Sequence, residues 1–178
     1  TELCLPYLIE EGLITPAFKT EQYPPAYGGM EIKQSYKISE TGEEISLDFI
    51  QKIVSIYQER LKKISEISEL TDFFFKDKLE YDKNLLRWGE MVDKEIIKSL
   101  DKSEKILSKI KTENWTKENL ERQIMPEAEK MGDRGKLLWP LRVVLTGKEA
   151  SAGPFEIAEI LGKEKTIKRI KEARGILR

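Results

Sequence analysis

The feature that most constrains this fold is an apolar stripe near the C-terminus whose members recur three and four residues apart. This is the spacing of one face of an α-helix, and the members are Leu137, Leu138, Leu141, Val144 and Leu145. Gly147 and Gly162 follow apolar runs, where a helix C-terminus favours a residue that can adopt a positive φ. Pro140 lies inside the stripe and predicts a kink or a helix start. We therefore expect three short helices across residues 135–175.

The remaining helices are predicted from the same periodicity and from capping residues. They cover residues 2–11, 47–64, 94–110 and 116–131. Ser46 and Thr116 supply the side-chain oxygens of N-caps. Phe73, Phe74 and Phe75 cannot all face one side of a helix, so they predict a junction that packs on more than one side.

Residues 15–45 are expected to form a long surface loop that holds at most a short extended piece. Prolines and glycines interrupt this stretch, namely Pro16, Pro24, Pro25, Gly28, Gly29 and Gly42. Aromatic residues and a methionine are candidates for anchoring it to the body of the protein, namely Tyr23, Tyr27, Met30 and Tyr36. No run in the chain shows sustained period-two alternation bounded by turn signals.

Every element with a regular pattern is helical, so the expected fold class is all-α, with two small helical subdomains in series. A short N-terminal helix and a connecting loop are expected over residues 1–45. The first helical subdomain is expected over residues 46–112 and the second over residues 113–178.

Composition excludes several kinds of chemistry. Among the 178 residues there is no histidine and one cysteine, Cys4, which excludes Ser–His and Cys–His nucleophiles, thiolate metal clusters and an internal disulfide. We expect Cys4 to be a small core residue in a reducing compartment. No apolar run reaches the roughly 18 residues of a membrane span, and no N-terminal signal pattern is visible. The sequence starts at Thr1 without Met, in mid-pattern, so we expect a piece of a longer protein.

The net charge of −1 conceals an uneven distribution. Residues 1–50 carry three lysines against nine acidic residues, whereas residues 140–178 carry nine basic residues against five glutamates. A basic C-terminal end is the kind of field that meets phosphates. Charge alone favours a simple solvated helix face over such a role.

Arg142 is a charge inside an otherwise apolar segment. Burying its guanidinium without a partner would be costly. Either a carboxylate of the protein pairs with it, or it faces a cleft for a ligand. The residues alone favour neither alternative.

The same C-terminal stretch contains the motif Pro-Leu-Arg-x-x-Leu-Thr-Gly, then Ser-x-Gly-x-Phe-Glu-Ile, then Leu-Gly-Lys-Glu-Lys-Thr-x-x-Arg-Ile. In order and spacing it resembles the C-terminal end of bacterial-type glutamyl-tRNA synthetase. Asp-Phe-Phe-Phe at residues 72–75 and Trp-Thr at residues 115–116 are similar to the same family. The resemblance covers about residues 47–175 and implies an anticodon-binding region rather than a catalytic centre.

The resemblance also implies particular RNA contacts. In the family, the arginine of the Pro-Leu-Arg motif and the following turn contact anticodon nucleotides, and the matching positions here are Arg142, Ser151, Gly153 and Pro154. Ala152 departs from the family, which commonly has proline there, so a less rigid turn is expected. Arg60 matches a family arginine that is associated with reading the third anticodon base and with rejecting glutamine tRNA.

The expected partner is therefore the anticodon loop of tRNA(Glu), bound by a cytoplasmic, monomeric protein without a membrane or DNA contact. No cofactor is expected in this piece and no catalysis by it alone, because the resemblance assigns ATP, magnesium and glutamate to an N-terminal part of a parent glutamate–tRNA ligase. Two alternatives stay open. One is a helical protein-interaction module in which Arg142 is salt-bridged internally, and the other is a stand-alone RNA-binding protein.

Overall fold

In the computed structural model the chain divides into two compact units, Thr1–Asp77 and Lys78–Arg178. The structure describes residues 1–22 and 30–177. The predicted mainly helical fold is confirmed, with the addition of one small sheet. No helix within these described ranges combines the length and the apolar character that crossing a membrane requires.

The helices of the first unit are short. They are α1 (Leu5–Glu10), α2 (Leu47–Tyr57) and α3 (Glu66–Thr71), with 3-10 turns at Glu2–Cys4, Gln58–Arg60 and Asp72–Phe75. The predicted cap of α2 is confirmed, because the hydroxyl of Ser46 accepts a hydrogen bond from the Phe49 N–H at 3.2 Å. Cys4 is buried, as expected for a core residue.

The long loop predicted for residues 15–45 is wrong, because this stretch forms most of an antiparallel sheet. Its strands are β1 (Ile14–Gln22), β2 (Met30–Ile38) and β3 (Glu44–Ser46), in the order β1-β2-β3. The register pairs Ile14 with Ile38 and Tyr36 with Ile45, and all four of these side chains are buried. The sheet therefore contributes directly to the core of the unit.

An alternating pattern is present in β2, and the sequence analysis did not use it. Met30, Ile32, Tyr36 and Ile38 alternate with polar residues, and Gln34 is the exception to the pattern. Tyr36 and Ile38 are buried on either side of the exposed Lys37. Pro16 is tolerated because β1 is an edge strand, where a missing N–H costs no ladder hydrogen bond. Some of the residues that suggested a loop or its anchors lie outside the described residues, namely Tyr23, Pro24, Pro25, Tyr27, Gly28 and Gly29.

The helix predicted to run from Leu47 to Ile64 ends at Tyr57. The carboxylate of Glu66 accepts the backbone N–H of Lys62 at 3.0 Å, which favours a turn that leads into α3 over a continued helix. Leu61 has an extended backbone, and Ile64 is 40% exposed although its spacing fits the stripe.

The three consecutive phenylalanines behave as predicted. Phe73, Phe74 and Phe75 are all buried in the 3-10 turn that follows α3. The rings of Phe73 and Phe74 lie 4.4 Å apart between centroids, so adjacent side chains fill different parts of the core.

The second unit is helical throughout its described part. Its elements are a 3-10 turn at Lys83–Leu86, α4 (Asp93–Leu107), a 3-10 turn at Thr112–Asn114, α5 (Lys117–Lys130), α6 (Gly135–Thr146) and α7 (Pro154–Ile176). The helix α4 packs against α5, α6 and α7. The subdomain boundary predicted near residue 112 is therefore wrong, because it would separate α4 from its packing partners.

Two glycines divide the C-terminal helices as the sequence predicts. Gly147 has a φ of 68° and ends α6. Gly162 has a φ of 76° and a ψ of 167°, which breaks α7 into two helical pieces. Residues that carry a Cβ atom are strained at such positive φ angles, whereas glycine is not. Three helices therefore result. Pro140 lies inside α6, whose start is at Gly135.

Candidate nucleic-acid interface

Arg142 occupies α6 between two buried residues, Leu141 and Val143, and is itself half-buried. Its Nε atom is buried and has no hydrogen-bond partner. Among the described residues of this unit, the Arg142 side chain has no ion pair either. The internal salt bridge that the interaction-module alternative requires is therefore absent from the described part of the unit. A partly buried guanidinium with an unsatisfied N–H is costly unless a ligand completes it.

The backbone around Arg142 is tied to the loop that follows α6. The hydroxyl of Thr146 donates to the carbonyl oxygen of Arg142 at 2.9 Å and accepts the N–H of Lys148 at 3.1 Å. Thr146 is buried. The loop that leads to residues 151–154 therefore leaves α6 in a defined direction, one helical turn after Arg142.

The turn that precedes α7 contains the other three residues predicted for this contact. Ser151 is buried, and its hydroxyl donates to the carbonyl oxygen of Ala152 at 3.0 Å. Pro154 is the first residue of α7 and is buried, whereas Gly153 is only half-buried. A ligand at this turn therefore meets backbone and Gly153 rather than the side chains of Ser151 and Pro154. Ala152 is fully buried, where the family's proline would stand.

A bridging carboxylate holds this turn. One oxygen of Glu156 accepts the Gly153 N–H at 3.0 Å, and the other accepts the ammonium of Lys117 at 2.6 Å. The hydrogen bond to Glu156, and then its charge, raise the pKa of Lys117 above its ordinary value. Because Lys117 is the first residue of α5, the turn is fastened to that helix.

Arg60 lies in the other unit, at the end of the 3-10 turn Gln58–Arg60, and is exposed. No ion pair joins it to Glu59 or to another carboxylate among the described residues of that unit. A surface arginine without a local partner is available to a ligand. Its exposure alone does not indicate which ligand it would contact.

An aromatic pair supports the N-terminal half of α6, and sequence reasoning did not identify it. The rings of Trp88 and Trp139 lie 5.4 Å apart between centroids. The indole N–H of Trp139 donates to the Leu85 carbonyl at 2.8 Å, and that of Trp88 donates to Asp133 at 2.7 Å. This bond, followed by one from the Gly135 N–H, lowers the pKa of the Asp133 carboxyl. The available signal was the position of Trp139 three residues before Arg142, which places both on one helix face.

The described residues contain no group of three or more His, Cys, Asp or Glu side chains arranged to hold a metal ion. The groups present are suited to hydrogen-bonding a ligand. Arg142 offers an unsatisfied N–H, and the turn before α7 offers partly accessible backbone at Gly153. Such groups hydrogen-bond the edges and phosphates of unpaired nucleotides.

Comparisons with known proteins identify the family of the chain. Residues 2–174 match a family model described as the anticodon binding domain. The chain therefore belongs to the anticodon-binding-domain family, as its C-terminal motifs suggested.

The curated relatives it resembles are ligases. It is 37% identical over 134 residues to the glutamate–tRNA ligase of Clostridium acetobutylicum, covering 74% of this chain and 27% of the relative. It is 30% identical over 133 residues to glutamate–tRNA ligase 2 of Thermoanaerobacter pseudethanolicus, covering 74% and 27%. The chain thus spans about a quarter of the length of these relatives.

Solved structures show the same likeness. A glutamate tRNA ligase from Elizabethkingia meningosepticum, crystallised in complex with its amino acid, is 26% identical with a TM-score of 0.65, covering 78% of this chain and 27% of that one. A glutamate–tRNA synthetase from Elizabethkingia anophelis is 26% identical with a TM-score of 0.59, covering 76% and 26%.

Proposed function

We propose that this chain binds the anticodon loop of tRNA(Glu) as the anticodon-binding region of a glutamate–tRNA ligase. The observation that carries the proposal is the buried Nε of Arg142, which lacks a hydrogen-bond partner and lies one helical turn before α6 ends and the loop to residues 151–154 begins. Family membership and the names of the relatives support the same reading. Aminoacylation itself, with its ATP and magnesium, is assigned to residues outside the matched region of such a ligase.

Arg142 is proposed to read an anticodon base. A guanidinium offers several donors in one plane, so it can hydrogen-bond two acceptors of a splayed base at once. In the free protein the cost of its unsatisfied N–H is already present, so the bound base recovers that cost. Gly153 and the backbone of the same turn at Ser151 and Pro154 are proposed to support the neighbouring nucleotide.

Arg60 is proposed to meet the third anticodon base and to disfavour glutamine tRNA. Its exposure and the lack of a carboxylate partner in the described part of its unit support this role. Action as a monomer in the cytoplasm, without DNA as a partner, belongs to the same proposal.

The test is binding to two anticodon stem-loops, one with the glutamate anticodon and one with an altered anticodon, at about 50 and about 200 mM salt. Arg142→Ala should weaken binding of the glutamate loop by about 5- to 150-fold, equivalent to ~1–3 kcal/mol, and affect the altered loop much less. Arg142→Lys should not restore the preference, because it keeps the charge and loses the planar donors.

The matched control is Arg134→Ala, which removes an exposed arginine that is paired with Glu129 at 2.8 Å just before α6. It should change both affinities equally and slightly. An equal loss for both loops in Arg142→Ala would reduce this residue to a general positive charge. Salt-insensitive or undetectable binding of the glutamate loop would contradict RNA recognition by this chain.

A further inference from the structure

An open groove with basic walls lies between α4 and α5, and neither the motifs nor the comparisons assign it a role. Its volume is ≈ 910 Å³, and the 3-10 turn Thr112–Asn114 closes one end. Five cationic side chains line it against two carboxylates, which leaves a net charge of +3 in the described lining. The lining charges are Lys102, Lys105, Lys109, Lys111, Arg122, Glu113 and Glu127.

The carboxylates of the groove neutralise only part of this charge. Glu127 pairs with Lys102 at 3.1 Å, and Glu113 pairs with Lys111 at 3.8 Å. Three cations remain without a carboxylate partner among the described residues of the unit, and these are Lys105, Lys109 and Arg122. An unpaired row of cations in a concave surface concentrates positive potential.

Helix ends do not cancel this potential. The C-terminal carbonyls of a helix carry partial negative charge, but those of Ser108 and Ile110 accept the ammonium of Lys163 at 3.0 and 2.6 Å. The N-terminus of α5, which carries partial positive charge, opens on the groove at Thr116. Other acids of α5, Glu118 and Glu121, do not line it.

The chemistry of the lining favours a nucleic-acid backbone over a protein. Asn114, Asn119 and Gln123 add neutral hydrogen-bonding groups, and the described lining holds no aromatic side chain. Protein interfaces depend on aromatic and apolar anchors at their centre. Phosphate binding needs cations and polar donors instead.

The groove begins where the candidate anticodon turn is fastened. Thr116 lines the groove, and the next residue, Lys117, holds Glu156, which in turn accepts the Gly153 N–H. The turn is therefore joined to the groove lining through consecutive residues at the start of α5. Lys102 and Lys105 line the groove from α4, and Lys109 lines it from the turn that follows that helix.

We propose that the α4–α5 groove binds the phosphate backbone of the same RNA, as a sequence-independent contact separate from base reading at Arg142. It rests on the proposed function only for the identity of the RNA. The groove supplies affinity and orientation, whereas the turn and Arg142 supply discrimination. A test that separates salt dependence from anticodon dependence therefore distinguishes the two.

The chain itself offers a matched pair of double variants in α4 and the turn that follows it. Lys105→Ala/Lys109→Ala removes two exposed lysines from the groove, and Lys94→Ala/Lys98→Ala removes two exposed lysines of α4 that do not line it. Both pairs are four residues apart and lack a carboxylate partner among the described residues. Urea unfolding and circular dichroism verify that both variants fold like the wild type.

The probes are unmodified tRNA transcripts with a glutamate anticodon and with an altered one, titrated between 50 and 200 mM salt. If two phosphate contacts are lost, the slope of log K against log salt falls by about 1.4–1.8 in Lys105→Ala/Lys109→Ala. Between 50 and 200 mM salt, the factor by which Kd rises should then be about tenfold larger for the wild type than for the variant, with both transcripts. Lys94→Ala/Lys98→Ala should keep the wild-type slope.

An equal fall of slope in both double variants would overturn the proposal, because the attraction would then be diffuse. An unchanged slope in Lys105→Ala/Lys109→Ala would overturn it as well. A wild type that ignores the anticodon while the groove variant still loses slope would refute base reading by Arg142 and leave the groove standing.

Discussion

Replacing Gly135 with alanine should destabilise the second unit, although a glycine-to-alanine change in a helix is usually favourable. Gly135 is the first residue of α6, the helix that carries Arg142. An ideal Cβ built on it would lie 2.2 Å from Cε2 and 2.3 Å from Nε1 of Trp88. Carbon atoms in contact lie about 3.5–4.0 Å apart. The indole of Trp88 must therefore move.

The indole is not free to move without loss. Its N–H donates to Asp133, and its ring lies against Trp139. Overpacking of this kind costs about 1–3 kcal/mol, while the removal of a helical glycine contributes about 0.5–1 kcal/mol in the other direction. Because Gly135 stands at the start of α6, the favourable contribution should be at the low end. We expect a net loss of about 1–2 kcal/mol.

The assay is urea unfolding followed by tryptophan fluorescence. All three tryptophans of the sequence lie in the unit Lys78–Arg178, so the signal reports this unit. The control is Gly175→Ala in α7, where nothing lies within 4 Å of the added Cβ, and it should gain up to about 1 kcal/mol. The second control places Gly135→Ala in a Trp88→Ala background. There the clash is absent, and the change should be neutral or stabilising by up to about 1 kcal/mol.

Two results would refute this reasoning. The first is a Gly135→Ala protein as stable as the wild type, which would mean that the indole finds another position at no cost. The second is an equal loss in the Trp88→Ala background, which would place the clash elsewhere. In either case the tryptophan pair would not be the support of α6 that the geometry indicates.

Two further predictions concern the same unit. Burial, and then the charge of Glu172, raise the pKa of Tyr81 to about 12, partly opposed by Arg169. Because the folded pKa lies above the unfolded value of about 10, the free energy of unfolding should fall as pH rises from about 10 to about 12. Tyr81→Phe should make that fall smaller than in the wild type, as measured by urea unfolding at each pH. Thr116→Ala removes the N-cap that accepts the Asn119 N–H at 3.4 Å and should cost about 0.5–1 kcal/mol in urea unfolding. A Thr116→Ser protein as destabilised as Thr116→Ala would contradict the capping role.

The elements that the sequence predicted well depend on signals a few residues long. Ser46 and Thr116 cap helices through hydrogen bonds to residues three positions onward, and Gly147 and Gly162 end helices through their own φ angles. Such features need no partner from elsewhere in the chain. Their physical cause is contained in the local window that a sequence analysis examines.

The elements that were missed depend on distant partners. Ile14 pairs with Ile38 across 24 positions, and no local pattern announces which strand will supply the ladder. At Ile64 the sequence analysis predicted too much helix, because this residue keeps the helical spacing and yet lies beyond the end of α2. Periodicity shows which positions are compatible with one face, whereas hydrogen bonding at the turn decides where the helix stops.

In the candidate site too, local features were predictable from the sequence and features that depend on distant residues were not. The position of Arg142 on a helix, beside apolar neighbours, was visible in the sequence, but the choice between a carboxylate partner and a ligand was not. That choice depends on whether any acid reaches the guanidinium after folding. The basic groove was hidden for a related reason. Lys102, Lys105 and Lys109 recur three and four residues apart, with Lys109 in the turn after α4. The charge of the surface that they line also depends on which acids of α5 lie outside it.

Glu156 shows how these distant arrangements become one binding surface. Its two carboxylate oxygens are used on two different elements, the turn at Gly153 and the first residue of α5. Neither oxygen is spare, so the turn cannot shift from α5 without losing a charged hydrogen bond. The start of α5, whose N-cap Thr116 lines the groove, and the turn before α7 are therefore held together by one side chain. If the turn reads a base and the groove binds the RNA backbone, as we propose, this attachment fixes the position of one contact relative to the other.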